Sequence, residues 1–174
     1  MRALIVCLFA ATAAYAQENP LSAFNKRAYS QVSSWLLASA ERMPESGYSF
    51  RPADTVRTFG QIVGHVADVQ FAFCSAVLGE KNPPPRVEQT KTSKADLVAA
   101  LKDGFAYCDR AYSAATDASG VQMIKFAGSD MPKLSVLQVN IAHCSEHYGN
   151  LVTYLRMKNI VPPSTEALQS QGKR

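Results

Sequence analysis

The chain is poor in histidine, tryptophan and charge: 174 residues hold three histidines, one tryptophan and 18% charged side chains. The formal net charge of +4 is scattered, with no basic run able to track a phosphate backbone, so nucleic acid is not expected as a partner. No persuasive alternation of apolar and polar residues marks a strand, so a sheet architecture is not expected. Beyond the N-terminus no apolar stretch is long and uninterrupted enough to span a bilayer, which takes about 20 residues. Stable membrane insertion is therefore not expected.

What is present begins with a leader. Arg2 precedes an apolar run from Ala3 to Ala14, and Ala14-Tyr15-Ala16 fits a small-residue cleavage site. Val6 is a poor residue to stand before a lipid-bearing cysteine, which argues against anchoring through Cys7. The expectation is a signal peptide over residues 1–16, cleaved near Ala16, and a periplasmic or extracellular mature protein. One domain over 17–163 and a polar, frayed tail over 164–174 would follow. Cys74, Cys108 and Cys144 remain, an odd number in an oxidising compartment. Inert core thiols are the default for all three; a Cys74–Cys108 bridge is the alternative, which spacing alone does not decide.

Four helical segments emerge. The first, from about Leu21 to Arg42, carries Leu21, Phe24, Ala28, Val32, Trp35 and Ser39 at helical spacing. The second begins near Asp54 or Thr55, continues to Gly79, and presents Phe59, Ile62, Val66, Val69, Phe73 and Val77. The third opens at Ser93-Lys-Ala-Asp96, a relative of the capping box, and turns Leu97, Leu101, Phe105, Cys108 and Tyr112 inward. An irregular stretch from Asp117 to Pro132 precedes the fourth, from about Ser135 to Lys158, which Pro162-Pro163 closes. The fold class is all-α, a four-helix bundle. The linker from Lys81 to Thr92, with its triple proline, reaches roughly 40 Å at about 3.3 Å per residue. That lets the second and third helices run parallel.

The three histidines fall on two of these helices. His143 and His147 are one turn apart on the fourth, in line with Val136, Val139, Asn140, Leu151 and Tyr154. His65 flanks the stripe of the second. A lone histidine on an apolar face is usually a hydrogen-bonded core residue, but three inward imidazoles need partners, and unsatisfied buried groups cost about 1–3 kcal/mol each. A divalent transition metal bound by His65, His143 and His147 satisfies them together and leaves a coordination position open. Zinc or nickel suits such a site best, with iron or copper as alternatives.

His143-Cys-Ser-Glu146-His147 also matches the inverted zinc-peptidase signature, with Glu146 as general base. That signature needs a downstream carboxylate ligand, and Glu166 in the tail is the sole acidic residue after His147.

The segment His143-Cys-Ser-Glu-His147-Tyr-Gly149-Asn-Leu-Val-Thr-Tyr-Leu155-Arg156, followed by Asn159-Ile-Val-Pro162-Pro163, resembles the last helix of the DinB/YfiT-like superfamily. His65 in Gly-His-Val-Ala-Asp, followed by Leu78-Gly79, is similar to that family's second-helix motif. The resemblance runs from roughly Leu21 to Pro163. It implies an up-down-down-up bundle, a divalent metal on three histidines and frequent homodimers. It also implies enzymes that join low-molecular-weight thiols to electrophiles, a thiol-dependent maleylpyruvate isomerase among them.

The functional expectation is a metal-dependent enzyme acting on a small molecule, of thiol-transferase or hydrolase type; the alternative is a non-catalytic bundle that binds metal or a small ligand. Asp68, Asn140 and Glu146, near the ligands in helical spacing, are the candidates for orienting or proton-accepting groups.

Overall fold

The computed structural model describes residues 19–171; the expected signal peptide lies outside them. The order is α1 (Pro20–Arg42), a 3₁₀ turn (Glu45–Gly47), α2 (Phe59–Leu78), α3 (Val87–Thr90), α4 (Lys94–Ala114), α5 (Asp117–Gly120), β1 (Met123–Phe126), β2 (Ser129–Pro132), α6 (Lys133–Met157) and α7 (Pro163–Gln171).

The four long helices α1, α2, α4 and α6 form the expected bundle. Along α2, Gly60 faces Leu97, Gly104 faces Ala67 and Gln70, and Cys74 meets Cys108, so α2 and α4 run parallel. Trp35 stacks on Tyr148, and Arg42 reaches the carbonyl of Val161, so α1 and α6 are parallel too. His65 meets His143 while Gln70 meets Asn140, which makes α2 and α6 antiparallel. The order is up-down-down-up, and the long linker after α2 is what permits it.

Two of the long helices, α2 and α4, begin at side-chain caps. Thr58 and Gln61 form a reciprocal capping box, each side chain bonded to the other's backbone amide, so α2 starts at Phe59, the first residue of its apolar stripe, rather than near Asp54 or Thr55. Asp54, near which the helix was expected to begin, is instead exposed and paired with Arg51. Gly79, at φ 72°, takes the left-handed turn that ends α2. Ser93 caps α4 through the amide of Asp96, and Leu97, Leu101, Phe105, Cys108 and Tyr112 are all buried as their spacing predicts.

Four expectations are corrected. Leu21 and Phe24 are exposed; the buried face of α1 runs through Ser22, Asn25, Tyr29, Val32 and Leu36 instead. The carboxylate of Asp117 accepts the amides of Leu21 and Ser22, which sets that face against α5. The irregular stretch contains an antiparallel hairpin, closed by Ala127 and Gly128 with φ values of 49° and 83°. Two successive positive φ values are the mark of a type I′ turn, and Gly128 adopts its conformation without a side-chain penalty. The tail forms α7 through residue 171, docked by Tyr148, whose hydroxyl donates to Ser164 Oγ at 2.7 Å.

The fourth correction concerns cysteine. Cys74 and Cys108 form a disulfide, with Cα atoms 5.2 Å apart, because the parallel packing of α2 and α4 brings them level. Cys144 alone fits the inert-thiol reading: burial pushes its thiol up to about 12.

By length and composition α2 is the one described helix apolar enough to cross a membrane. In the bundle it is a core helix, with Phe59, Val63 and Val66 almost fully buried. Its polar residues Gln61, His65, Asp68 and Gln70 all have partners within the protein.

Candidate metal centre

Where α2 crosses α6, the three histidines converge. His143 Nε2 lies 3.1 Å from His65 Nε2 and 3.1 Å from His147 Nε2. One potential ligand atom from each histidine lies within 4.8 Å of the other two. The sequence spacing of His143 and His147 supplies one edge of this triangle, and the antiparallel packing of α2 supplies its third corner.

Hydrogen bonding alone does not explain the cluster. His143 Nε2 faces two other ring nitrogens but has only one in-plane lone pair or one proton, so it can make a single well-directed hydrogen bond and the second close contact is left without one. A cation resolves both contacts. Ring nitrogens each about 2.05 Å from a tetrahedral ion stand about 3.3 Å apart, close to the separations seen. Three histidines so arranged can hold a metal ion.

The outer ring nitrogens have unequal surroundings. His65 Nδ1 faces Glu88 Oε2 at 3.2 Å, so its proton belongs on Nδ1 and its Nε2 lone pair points into the cluster. His147 Nδ1 lies 3.4 Å from the side-chain nitrogen of Asn150. His143 Nδ1 is buried with no partner, alone in this among the described side chains. The ring of His143 also stands 6.0 Å from that of Phe73, which stacks on Phe126 of the hairpin at 4.7 Å. The hairpin thus backs the aromatic wall of the site.

Burial is the main cause that lowers the pKa of His143 to about 4, with the charge of His65 next. Burial likewise lowers His147 to about 4, followed by the charges of His143 and His65. Both rings are therefore neutral and able to coordinate near neutral pH.

Asp68, Asn140 and Glu146 end in three different places. The carboxylate of Asp68 accepts the amides of Val87 at 2.8 Å and Glu88 at 3.0 Å, so it holds α3 rather than a histidine. Asn140 is fully buried, and its amide donates to Gln70 Oε1 at 3.1 Å and the Tyr112 hydroxyl at 3.3 Å. It belongs to a polar network in the core that also includes Cys144. Glu146 is exposed and lines a cleft of about 430 Å³ together with His147, Arg57, Asn150 and Tyr154.

Sequence reasoning missed Glu88, Arg57 and Asn150. Arg57 Nε donates to Glu88 Oε1 at 2.8 Å, and the Tyr154 hydroxyl donates to the Arg57 carbonyl at 2.6 Å. Asn150 lies three residues after His147, a helical spacing that could have been searched. Glu88 and Arg57 lie outside the long helices, where periodicity gives no signal.

Fold and site together define a four-helix bundle with a three-histidine centre between two of its helices. The DinB superfamily profile matches residues 28–151, and the chain belongs to that superfamily. Among solved structures, a DinB-like protein from Bacillus cereus superposes with a TM-score of 0.70 at 16% identity, over 80% of this chain and 93% of the other. Mycothiol-dependent maleylpyruvate isomerase superposes with a TM-score of 0.62 at 15% identity, over 75% of this chain and 60% of the isomerase. A substituted form of that isomerase gives 0.63 at 14% identity, with the same coverage. At these identities the likeness is one of fold. A comparison with curated protein sequences gives no match.

Proposed function

We propose that this protein is an exported, metal-dependent enzyme that acts on a small molecule bound in the cleft beside His147. The carrying observation is the convergence of the His65, His143 and His147 ring nitrogens next to that cleft. Zinc or nickel is the proposed ion, matching three neutral imidazoles. When bound, such an ion supplies Lewis acidity and lowers the pKa of a coordinated water or thiol.

The chain's own residues divide the remaining work. Glu88 and Asn150 orient the outer nitrogens of His65 and His147. The Glu146 carboxylate has no hydrogen bond or ion pair among the described residues, whereas those of Asp68 and Glu88 are committed elsewhere. Its carboxylate is therefore the group at the cleft suited to take a proton from an incoming thiol or water. The cleft volume, about 430 Å³, is within the range that holds small organic ligands.

The fold likeness to a mycothiol-dependent isomerase supports a thiol as one reactant. Hydrolysis is the competing reaction type, and export favours it by removing the protein from cytoplasmic thiols. The leader sequence and the Cys74–Cys108 disulfide support the periplasm or extracellular space. The family resemblance supports a homodimer.

The test incubates zinc- or nickel-loaded protein with thiol and electrophile pairs and with a panel of esters, beside His143→Ala. Turnover abolished in the variant is the expected result. Stoichiometric metal without turnover on any substrate would replace the enzyme with a metal- or ligand-binding bundle.

A further inference from the structure

The centre is served by a carboxylate from outside the bundle helices. Glu88 belongs to α3, a single turn on the connection between α2 and α4, 23 residues from His65. Its two oxygens have different tasks: Oε2 faces His65 Nδ1 at 3.2 Å, and Oε1 accepts from Arg57 Nε at 2.8 Å. The side chain is about one quarter exposed, 24%, so both contacts are partly shielded from water.

The backbone beneath Glu88 is fixed by two residues of α2. Asp68 accepts the amides of both Val87 and Glu88. Gly64 lets the connection come close: a Cβ there would stand 2.8 Å from Glu88 Cα and 2.9 Å from Glu88 N. Gly64, His65 and Asp68 occupy one turn of α2, so the helix that presents the histidine also seats the carboxylate that faces it.

We propose that Glu88 is a positioning residue of the metal centre, seated by Asp68 and Gly64 to fix the tautomer and ring orientation of His65. This rests on the metal-binding reading above. A carboxylate behind an imidazole holds the proton on the outer nitrogen and makes the inner one a better donor. Among the described residues His65 alone of the three histidines has such a partner, so it is the strongest donor of the set although it stands apart from the His-x-x-x-His pair. Arg57 shares Glu88 and lines the cleft, which joins the orientation of His65 to the wall where substrate would bind.

The test measures zinc affinity by chelator competition, and the His65 tautomer by nitrogen NMR of metal-free protein, for wild type, Glu88→Ala, Glu88→Gln and Asp68→Asn. Glu88→Ala should bind zinc about 10–100-fold more weakly. It should also lose the Nδ1–H preference of His65. Glu88→Gln, whose amide oxygen can still accept the bond, should fall between wild type and Glu88→Ala. Asp68→Asn should weaken zinc binding although it touches no histidine. If Glu88→Ala does not fold, Glu88→Gln and Asp68→Asn decide the question. Wild-type zinc affinity and an unchanged tautomer in the folded variants would overturn the proposal. A wild type that binds no zinc would instead overturn the metal-binding reading.

Discussion

Cys74 on α2 and Cys108 on α4 are joined across two parallel helices, and the loop they close carries Glu88, the carboxylate that faces His65. The bridge ties together the two helices between which the connection must run, and so limits the freedom of α3. Its sequence separation of 34 residues gives a chain-entropy stabilisation of about 3–4 kcal/mol. Reduction, or paired replacement by serine, should lower the denaturant midpoint by a corresponding amount. Cys144→Ser should leave the sensitivity to reductant unchanged, because its thiol is outside the bridge. Parallel denaturation curves with and without dithiothreitol check both statements.

Acid should weaken the metal-free fold through His143 and His147. Both are held near 4 in the folded chain, against about 6.5 for a solvated histidine. Below about pH 6.5 the unfolded state binds more protons at these positions, so stability falls as pH drops toward 4 and levels off beneath it. The contribution is complete above pH 6.5. Melting temperatures of metal-free protein across that range should decline, with a shallower decline in His143→Ala.

Gly64→Ala should disturb the fold and the centre together. The added methyl would collide with the backbone of Glu88, which cannot yield as a side-chain end could. A destabilisation of about 1–3 kcal/mol is expected. Weaker zinc binding should accompany it, even though position 64 holds no ligand. Chemical denaturation and zinc competition on the same preparation would show whether the two losses occur together.

Asn140→Ala should separate core from centre. Its removal leaves Gln70 Oε1 without its buried donor, while the Tyr112 hydroxyl keeps its bond to the Leu137 carbonyl, at a cost of about 1–3 kcal/mol. Metal stoichiometry should be unchanged, since the Asn140 amide is engaged with Gln70 and Tyr112 rather than a histidine. Metal loss with intact stability would return Asn140 to the list of orienting groups.

These residues show what a sequence can and cannot disclose. The inward stripe of α4 is legible because its apolar residues lie on one face only. On α1, Leu21 and Phe24 compete with Tyr29 and Leu36, and the buried face is decided by a remote contact, the hold of Asp117 on Leu21 and Ser22. The histidine pair is legible from spacing within one helix, and His65 from its place on a second. Glu88 is not, because its role comes from a close approach between a short turn and Gly64. Asp68 was visible as a nearby carboxylate, but its work on the amides of α3 depends on where the connection passes.

The central claim is that His65, His143 and His147 together hold a metal. Elemental analysis of untagged protein beside His143→Ala tests it most directly. About one zinc or nickel per chain, lost in the variant, is the predicted result. A folded wild type that carries no metal after gentle purification and takes up none on reconstitution would contradict it.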